Sequence, residues 1–271
     1  MNSSKINKQL SLFYVWLFVV VIIPLLLIIF KSFSNYKGEY TLENYTKLFD
    51  PVYVKMTLLS IFYAIIITIL GLLISYPAAY VLSRAKHRDL WITLILIPTW
   101  INLLLKTYAF IGILSENGPI NNVFEVIGIG RQQLLFNPIG FIIVSLNIFI
   151  PFMIIPIYEA ICKIDKRQEN AAYDLGASKL QVLSKVVIPG SLSGVESAFQ
   201  IVFIPTLSIF MITRLIAGNK IINLGTAIEQ QFLTNQNPFM GSAIAVELLL
   251  IMILVFYIQK LIFGYWGRNN A

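Results

Sequence analysis

Residues 169–189 read Glu169-Asn-Ala-Ala-Tyr-Asp-Leu-Gly176-Ala-Ser178-Lys-Leu-Gln-Val-Leu-Ser-Lys-Val-Val-Ile-Pro189. The stretch is a polar, basic island between two long apolar runs, and it carries helix punctuation. Asp165 is placed to cap a short helix, with Gln168 three residues on, and Gly176 suits the left-handed position that ends it. Ser178 then caps a second helix, with Gln181 in the reciprocal capping-box position. Leu180, Leu183 and Val187 share one face of that helix, flanked by Val182 and Val186, and Pro189 is expected to stop it. The pattern predicts a helix, a sharp turn and a second helix lying at a membrane surface. Ala171 and Ala172 leave a flat face on the first helix, on which another protein can dock. An interfacial hairpin with no partner would show the same spacing.

On either side of this island the chain is apolar. Of its 271 residues 58% are hydrophobic and 12% charged, against about a quarter charged in a soluble domain. Apolar runs cover residues 11–33, 56–82, 90–114, 139–161, 192–214 and 241–263. Each is near the ~20 residues that a helix needs to cross ~30 Å of hydrocarbon. Runs this continuous exclude an outer-membrane barrel, whose strands alternate. The first run is too long for a signal-peptide core and no small-x-small pattern follows it, so it is retained as a span. The fold class expected is an all-α polytopic membrane protein of about six transmembrane helices. Residues 1–10 and 264–271 are tails, residues 11–263 the membrane domain, and residues 163–190 its polar loop.

Lys and Arg orient the bundle. Lys5, Lys8, Arg84, Lys86, Arg88, Lys163, Lys166, Arg167, Lys179, Lys185, Lys260 and Arg268 fall on one side. Lys31, Lys37, Lys47, Lys55, Arg131, Arg214 and Lys220 fall on the other, diluted by acidic residues. The excess puts both termini, and the polar loop with them, in the cytoplasm. The net charge of +7 is read the same way, not as nucleic-acid binding. Cys162 is the only cysteine and His87 the only histidine, which rules out an internal disulfide and a multi-histidine metal site. No Gly-x-x-x-x-Gly-Lys-Ser/Thr loop and no recognisable Ser-His motif occurs, so no catalytic residue, metal or cofactor is expected. If ATP powers the protein, a partner binds it.

The ionisable residues within spans are Lys106, Glu196 and Glu247, and such charges face a bundle interior or a wet cavity. Lys106 and Glu247 lie roughly 12 Å and roughly 9 Å below the outer ends of their spans at ~1.5 Å per residue. That similar depth suits a structural ion pair, with a substrate role for either as the other reading. Glu196 is either solvated near the cytoplasmic end of the fifth span or lines the exit of a pathway. Pro205 breaks the same span, where Thr206 and Ser208 are placed to re-satisfy freed backbone groups. With Gln200 they make a polar helix, suited to a solute path or to a packing kink. Trp100 and Tyr108, with Phe203 and Phe210, offer aromatic faces to a cation or simply pack.

The island also resembles a family signature. Importer permeases of the ATP-binding-cassette type carry a cytoplasmic loop reading Glu-Ala-Ala, three residues, Gly, nine residues, then Ile-x-Leu-Pro. The matching positions are Asn170-Ala171-Ala172, Gly176 and Val186-Val187-Ile188-Pro189. Asn170 stands where the family carries Glu, and Glu169 comes one place earlier. The resemblance implies that Glu169, Asn170, Ala171, Ala172, Asp174, Gly176, Ala177 and Pro189 belong to a coupling loop seated in a groove of an ATPase subunit, docking at position 170 by shape.

Within that superfamily the chain most resembles the spermidine/putrescine permease group. The residues concerned are Tyr40-Thr-Leu-Glu-Asn-Tyr45, Tyr76-Pro-Ala-Ala-Tyr80 with Arg84, the run from Trp100 to Tyr108, Leu135-Phe-Asn-Pro138, Asp174-Leu-Gly-Ala-Ser178 and Asn237-Pro-Phe-Met-Gly241. The resemblance implies a type I importer permease fold in a bacterial cytoplasmic membrane. It also implies a second, homologous permease subunit, two ATPase subunits inside and a substrate-binding protein outside. Polyamines are the substrate expected. Permeases for ferric iron, thiamine or sulfate are related alternatives, and a stand-alone secondary transporter is an alternative from another class.

Overall fold

A computed structural model describes residues 13–218 and 220–269, with side chains as far as Gly264. Lys5, Lys8, the expected tail over residues 1–10, the first two residues of the first span and the Arg268 side chain lie outside the described residues.

Among the described residues, four helices are long and apolar enough to cross a membrane: α1 (Phe13–Ser32), α3 (Pro51–Arg84), α7 (Pro138–Cys162) and α13, which qualifies over Pro238–Gly264 and continues to Asn269. Counting each of two bent helix pairs as one span brings the number up to six. The shorter helices are α2 (Glu43–Leu48), α4 (Arg88–Trp100), α5 (Leu103–Leu114), α6 (Pro119–Val126), α8 (Lys166–Asp174), α9 (Lys179–Gly190), α10 (Leu192–Ser208), α11 (Phe210–Ala217) and α12 (Leu224–Glu229). The expected all-α membrane architecture is present.

The chain divides into two compact units. One holds residues up to Met56 with Ala227–Ile251, the other Thr57–Thr226 with the C-terminal stretch from Met252. In the first, Asn44 is buried and its amide donates to the Ser32 and Ser34 carbonyls at 3.0 and 2.9 Å. It thereby satisfies acceptors that α1 leaves open where it ends. Ser32 and Tyr45 hydroxyls meet at 2.6 Å beside it. At the start of α13, Asn237 accepts the Met240 N–H at 3.1 Å, and Gly241 leaves room for the Phe232 ring. Both sequence signatures in this unit are therefore helix-end devices.

The second unit is built on α7. Phe141, Val144, Met153, Ile157 and Ile161 are buried along it. Helix α3 turns a narrow face inward: Ser60, Ala64, Ile67, Gly71, Ser75, Ala79 and Leu82, three or four residues apart, with Thr68 beside Ile67. Such small residues let membrane helices approach closely; a Cβ at Gly71 would meet the Met153 sulfur at 2.5 Å. Helix α10 packs along α7 more tightly still, with Gly194 over the Pro156 carbonyl. Phe136 donates its N–H to the Ile216 carbonyl at 2.7 Å, and Asn137 caps α7 through the Ile139 N–H at 3.0 Å. That is the local role of Leu135-Phe-Asn-Pro138.

Three expectations about continuity need correction. The third apolar run is not one straight helix: α4 meets the helical stretch Leu103–Val126 at 90°. Pro98 lies in a tight terminal turn, Ile101 is extended, and Asn102 starts α5 by accepting the Leu104 N–H at 2.8 Å. The fifth run does not break at Pro205, which lies inside α10; the break comes at Ile209, and α11 follows. Pro189 does not stop α9. The turn Leu183–Val187 is widened, with the Ile188 N–H reaching back to Leu183. An extra residue in the turn moves aside the carbonyl on which a proline ring would clash. The helix runs on to Gly190 and then bends by 65° into α10.

The break at Ile209 is held by a buried knot. Asn223 donates to the Ile209 carbonyl at 3.1 Å and to the Thr213 hydroxyl at 3.0 Å, and its own oxygen accepts the N–H and hydroxyl of Thr226, each at 2.8 Å. Leu224 donates its N–H to the Ser60 hydroxyl at 2.8 Å. Irregular backbone at membrane depth persists only where protein satisfies it in this way.

Candidate coupling loop and pathway helix

Asp165 begins α8 by accepting the Arg167 N–H at 2.9 Å. The helix closes with two reverse bonds, Gly176 N–H to the Tyr173 carbonyl at 2.9 Å and Ala177 N–H to the Ala172 carbonyl at 3.0 Å. Gly176 has φ +83°, so the residue that ends the helix is one that tolerates the left-handed region. The capping box is complete: Gln181 N–H reaches the Ser178 hydroxyl at 3.4 Å, and Ser178 N–H reaches the Gln181 side chain at 2.8 Å. The result is a capped helix–turn–helix, as the punctuation predicts.

Which residues face outward differs from expectation. Ala171 is exposed, but Ala172 packs inward with Ala177, as the reverse bonds require. Val182, Leu183, Val186 and Val187 form the packed face of α9, and Leu180 is 77% exposed. Leu175, at the turn, is 89% exposed. The outward surface is therefore Ala171, Leu175 and Leu180, set among the exposed polar residues Asn170, Asp174 and Lys179. Glu169 does not face outward. It is 6% exposed, and one of its carboxylate oxygens accepts from the Arg84 guanidinium at 2.6 Å.

Helix α10 carries a polar stripe. Ser193, Glu196, Ser197, Gln200 and Ser208 recur at helical spacing on a face this unit leaves open or half-open. Ser193 and Ser197 were not singled out from sequence. The spacing of three to four residues from Glu196 and Gln200 was the available signal. Thr206 turns the other way; it is buried and its hydroxyl donates to the Val202 carbonyl at 2.6 Å. It lies about 120° around the helix from Gln200 at ~100° per residue, off the open stripe. Pro205 is exposed beside it. Trp100, 80% exposed, sits at the break after α4, and Tyr108, 55% exposed, lies on α5. Lys106 lies on α5 in the second unit and Glu247 on α13 in the first.

A family model described as "binding-protein-dependent transport system inner membrane component" matches residues 3–263. The chain belongs to that family. It is an importer permease subunit of the ATP-binding-cassette type, an inner-membrane protein. The "spermidine/putrescine transport system permease protein PotB" of Haemophilus influenzae is 33% identical over 99% of this chain and 96% of its own length. The protein of the same name from Escherichia coli K12 is 34% identical over 94% of each. Among solved structures, a bacterial ABC transporter for alginate import matches with a TM-score of 0.81 and 16% identity, covering 96% of this chain and 95% of that one. That likeness establishes the type I permease fold of this importer subunit.

Proposed function

We propose that the importer carries polyamines such as spermidine or putrescine, and that this subunit forms half of its path with a second, homologous permease. Two ATPase subunits bind the nucleotide, since this chain has no phosphate-binding loop of its own. A binding protein delivers the substrate on the outer side. The identity of about one third, over nearly full length, to the spermidine/putrescine permeases carries the reading. The α10 stripe supports it, with one carboxylate, one amide and three hydroxyls spread along the helix. A flexible polycation crossing a low-dielectric bundle needs several weak acceptors, because a single tight site would hold it. ATP-dependent uptake of labelled spermidine by the complex in proteoliposomes, with its own binding protein, is the expected result. Uptake of ferric ion, thiamine or sulfate in its place would overturn the substrate assignment.

The basic-residue excess supports cytoplasmic termini and a cytoplasmic α8–α9 loop. A cysteine at Leu175, in a Cys162→Ser background, should react with an impermeant maleimide only after cells are opened. Labelling of sealed cells would reverse the orientation. In the cytoplasm, Ala171, Leu175 and Leu180 form the surface that seats in an ATPase subunit.

A further inference from the structure

The signature position for a carboxylate on the coupling helix is occupied here by Asn170, and the carboxylate stands one residue earlier. On a helix one residue is a rotation of ~100°. That rotation takes the charge from the outward surface to the bundle side, where Glu169 is buried against Arg84 at 2.6 Å. Arg84 is the last residue of α3, and its guanidinium lies 5.0 Å from the centre of the Tyr80 ring. The cation is thus held on one side by a carboxylate and on the other by an aromatic face.

A second tie lies further up the same helix. The Tyr76 and Ser191 hydroxyls are 2.8 Å apart. Ser191 commits its proton to the Val187 carbonyl at 2.7 Å, so Tyr76 is the donor. Ser191 occupies the bend between α9 and α10. Helix α3 therefore grips the loop twice, at its entry helix through Glu169 and at its exit bend through Ser191. Displacement of the loop cannot leave the last turns of α3 behind unless one of these bonds breaks.

We propose that Arg84–Glu169 and Tyr76–Ser191 form a strut that transmits movement of the coupling loop to α3, with Arg84, Glu169 and Tyr76 as positioning residues. This rests on the loop being the ATPase contact. It assigns the buried carboxylate to transmission inside the permease and leaves docking to the outward surface.

The test uses the assembled complex in proteoliposomes and measures two quantities: ATPase subunit retained, and substrate moved per ATP hydrolysed. Glu169→Gln and Arg84→Gln should each retain the ATPase subunit while substrate per ATP falls about tenfold, since Arg84→Gln leaves the buried Glu169 carboxylate without its cation and Glu169→Gln takes from the half-exposed Arg84 the charge that holds it. The charge swap, Arg84→Glu with Glu169→Arg, should recover a large part of that loss, which a general weakening of the fold would not. Tyr76→Phe removes one hydroxyl only and should lower the ratio by about threefold on its own, which keeps the test valid if a charge variant fails to insert. Unchanged ratios in these variants would overturn the strut. So would loss of the ATPase subunit from the charge variants with no recovery in the swap, which would make Glu169 a docking residue. A wild-type complex that couples no polyamine uptake to hydrolysis would instead sink the substrate assignment.

Discussion

Gly194→Leu should abolish accumulation of the chain in the membrane. At Gly194 even a single added carbon would lie 2.5 Å from the Pro156 carbonyl oxygen, 2.6 Å from the Ala160 Cβ and 3.0 Å from the Ile157 Cα. None of these is the free end of a flexible side chain, so relief requires α10 to move off α7. Helix α7 is the centre of its unit, and Ala198 and Val202 on α10 are fully buried. Overpacking costs ~1–3 kcal/mol where neighbours can shift and more where only backbone can yield. Separating the two helices also forfeits dispersion contacts along the seam. Against a net stability of about 5–15 kcal/mol, leucine removes most of the margin, and Gly194→Ala lowers the thermal midpoint in detergent by several degrees. Gly112, which has nothing within 4 Å of an added Cβ, is the control, and Gly112→Leu should accumulate normally. Immunoblotting of membrane fractions decides the matter. Wild-type amounts of the Gly194→Leu chain would show that the α7–α10 seam is looser than these distances state.

Gly176→Pro should abolish transport by a different route and leave the amount of protein in the membrane unchanged. Proline fixes φ near −65°, and the turn needs +83° at this position. It also removes the N–H that Gly176 donates to Tyr173 at 2.9 Å. The reversal between α8 and α9 then fails, and Leu175 and Leu180 no longer share one surface. Gly176→Ala isolates the backbone term, because no atom lies within 4 Å of the added carbon. Its cost is ~1 kcal/mol, so uptake should fall only a few-fold. The measurement is substrate uptake beside ATPase hydrolysis in the assembled complex. Normal uptake by the Gly176→Pro variant would remove the loop from the coupling path.

Local signals on the loop were legible because they are local. A capping residue, its reciprocal partner three positions on and a glycine at the helix end each act within a few residues. Asp165, Gly176, Ser178 and Gln181 accordingly do what their spacing announces. Orientation toward the bundle was not legible, because it depends on what stands opposite. Glu169 reads as a surface carboxylate until Arg84, 85 positions away, is brought against it. Thr206 reads as a polar lining residue until the helix phase turns it to Val202. The same holds for proline. Pro189 breaks a regular helix, but a widened turn just before it lets the helix continue, and that turn has no sequence mark as clear as the proline itself. At Ile101 the sequence did carry a sign, Pro98 followed by Asn102. The unbroken apolar character of residues 90–114 masked it, since a bilayer rewards apolar residues whether or not the helix is straight.

The knot around Asn223 bears on the order in which the chain can be finished as it is made. Synthesis proceeds from the N-terminus, and spans enter the bilayer one after another. The hydroxyl of Ser60, in the second span, receives the Leu224 amide only after 164 further residues have been added. Likewise the break at Ile209 gains its Asn223 brace only when the chain past Gly218 has turned back. Until then the fifth span lacks what holds its two halves in their broken geometry. Its final shape therefore depends on residues 223–226, which follow it in the chain, reaching it after it has entered the bilayer.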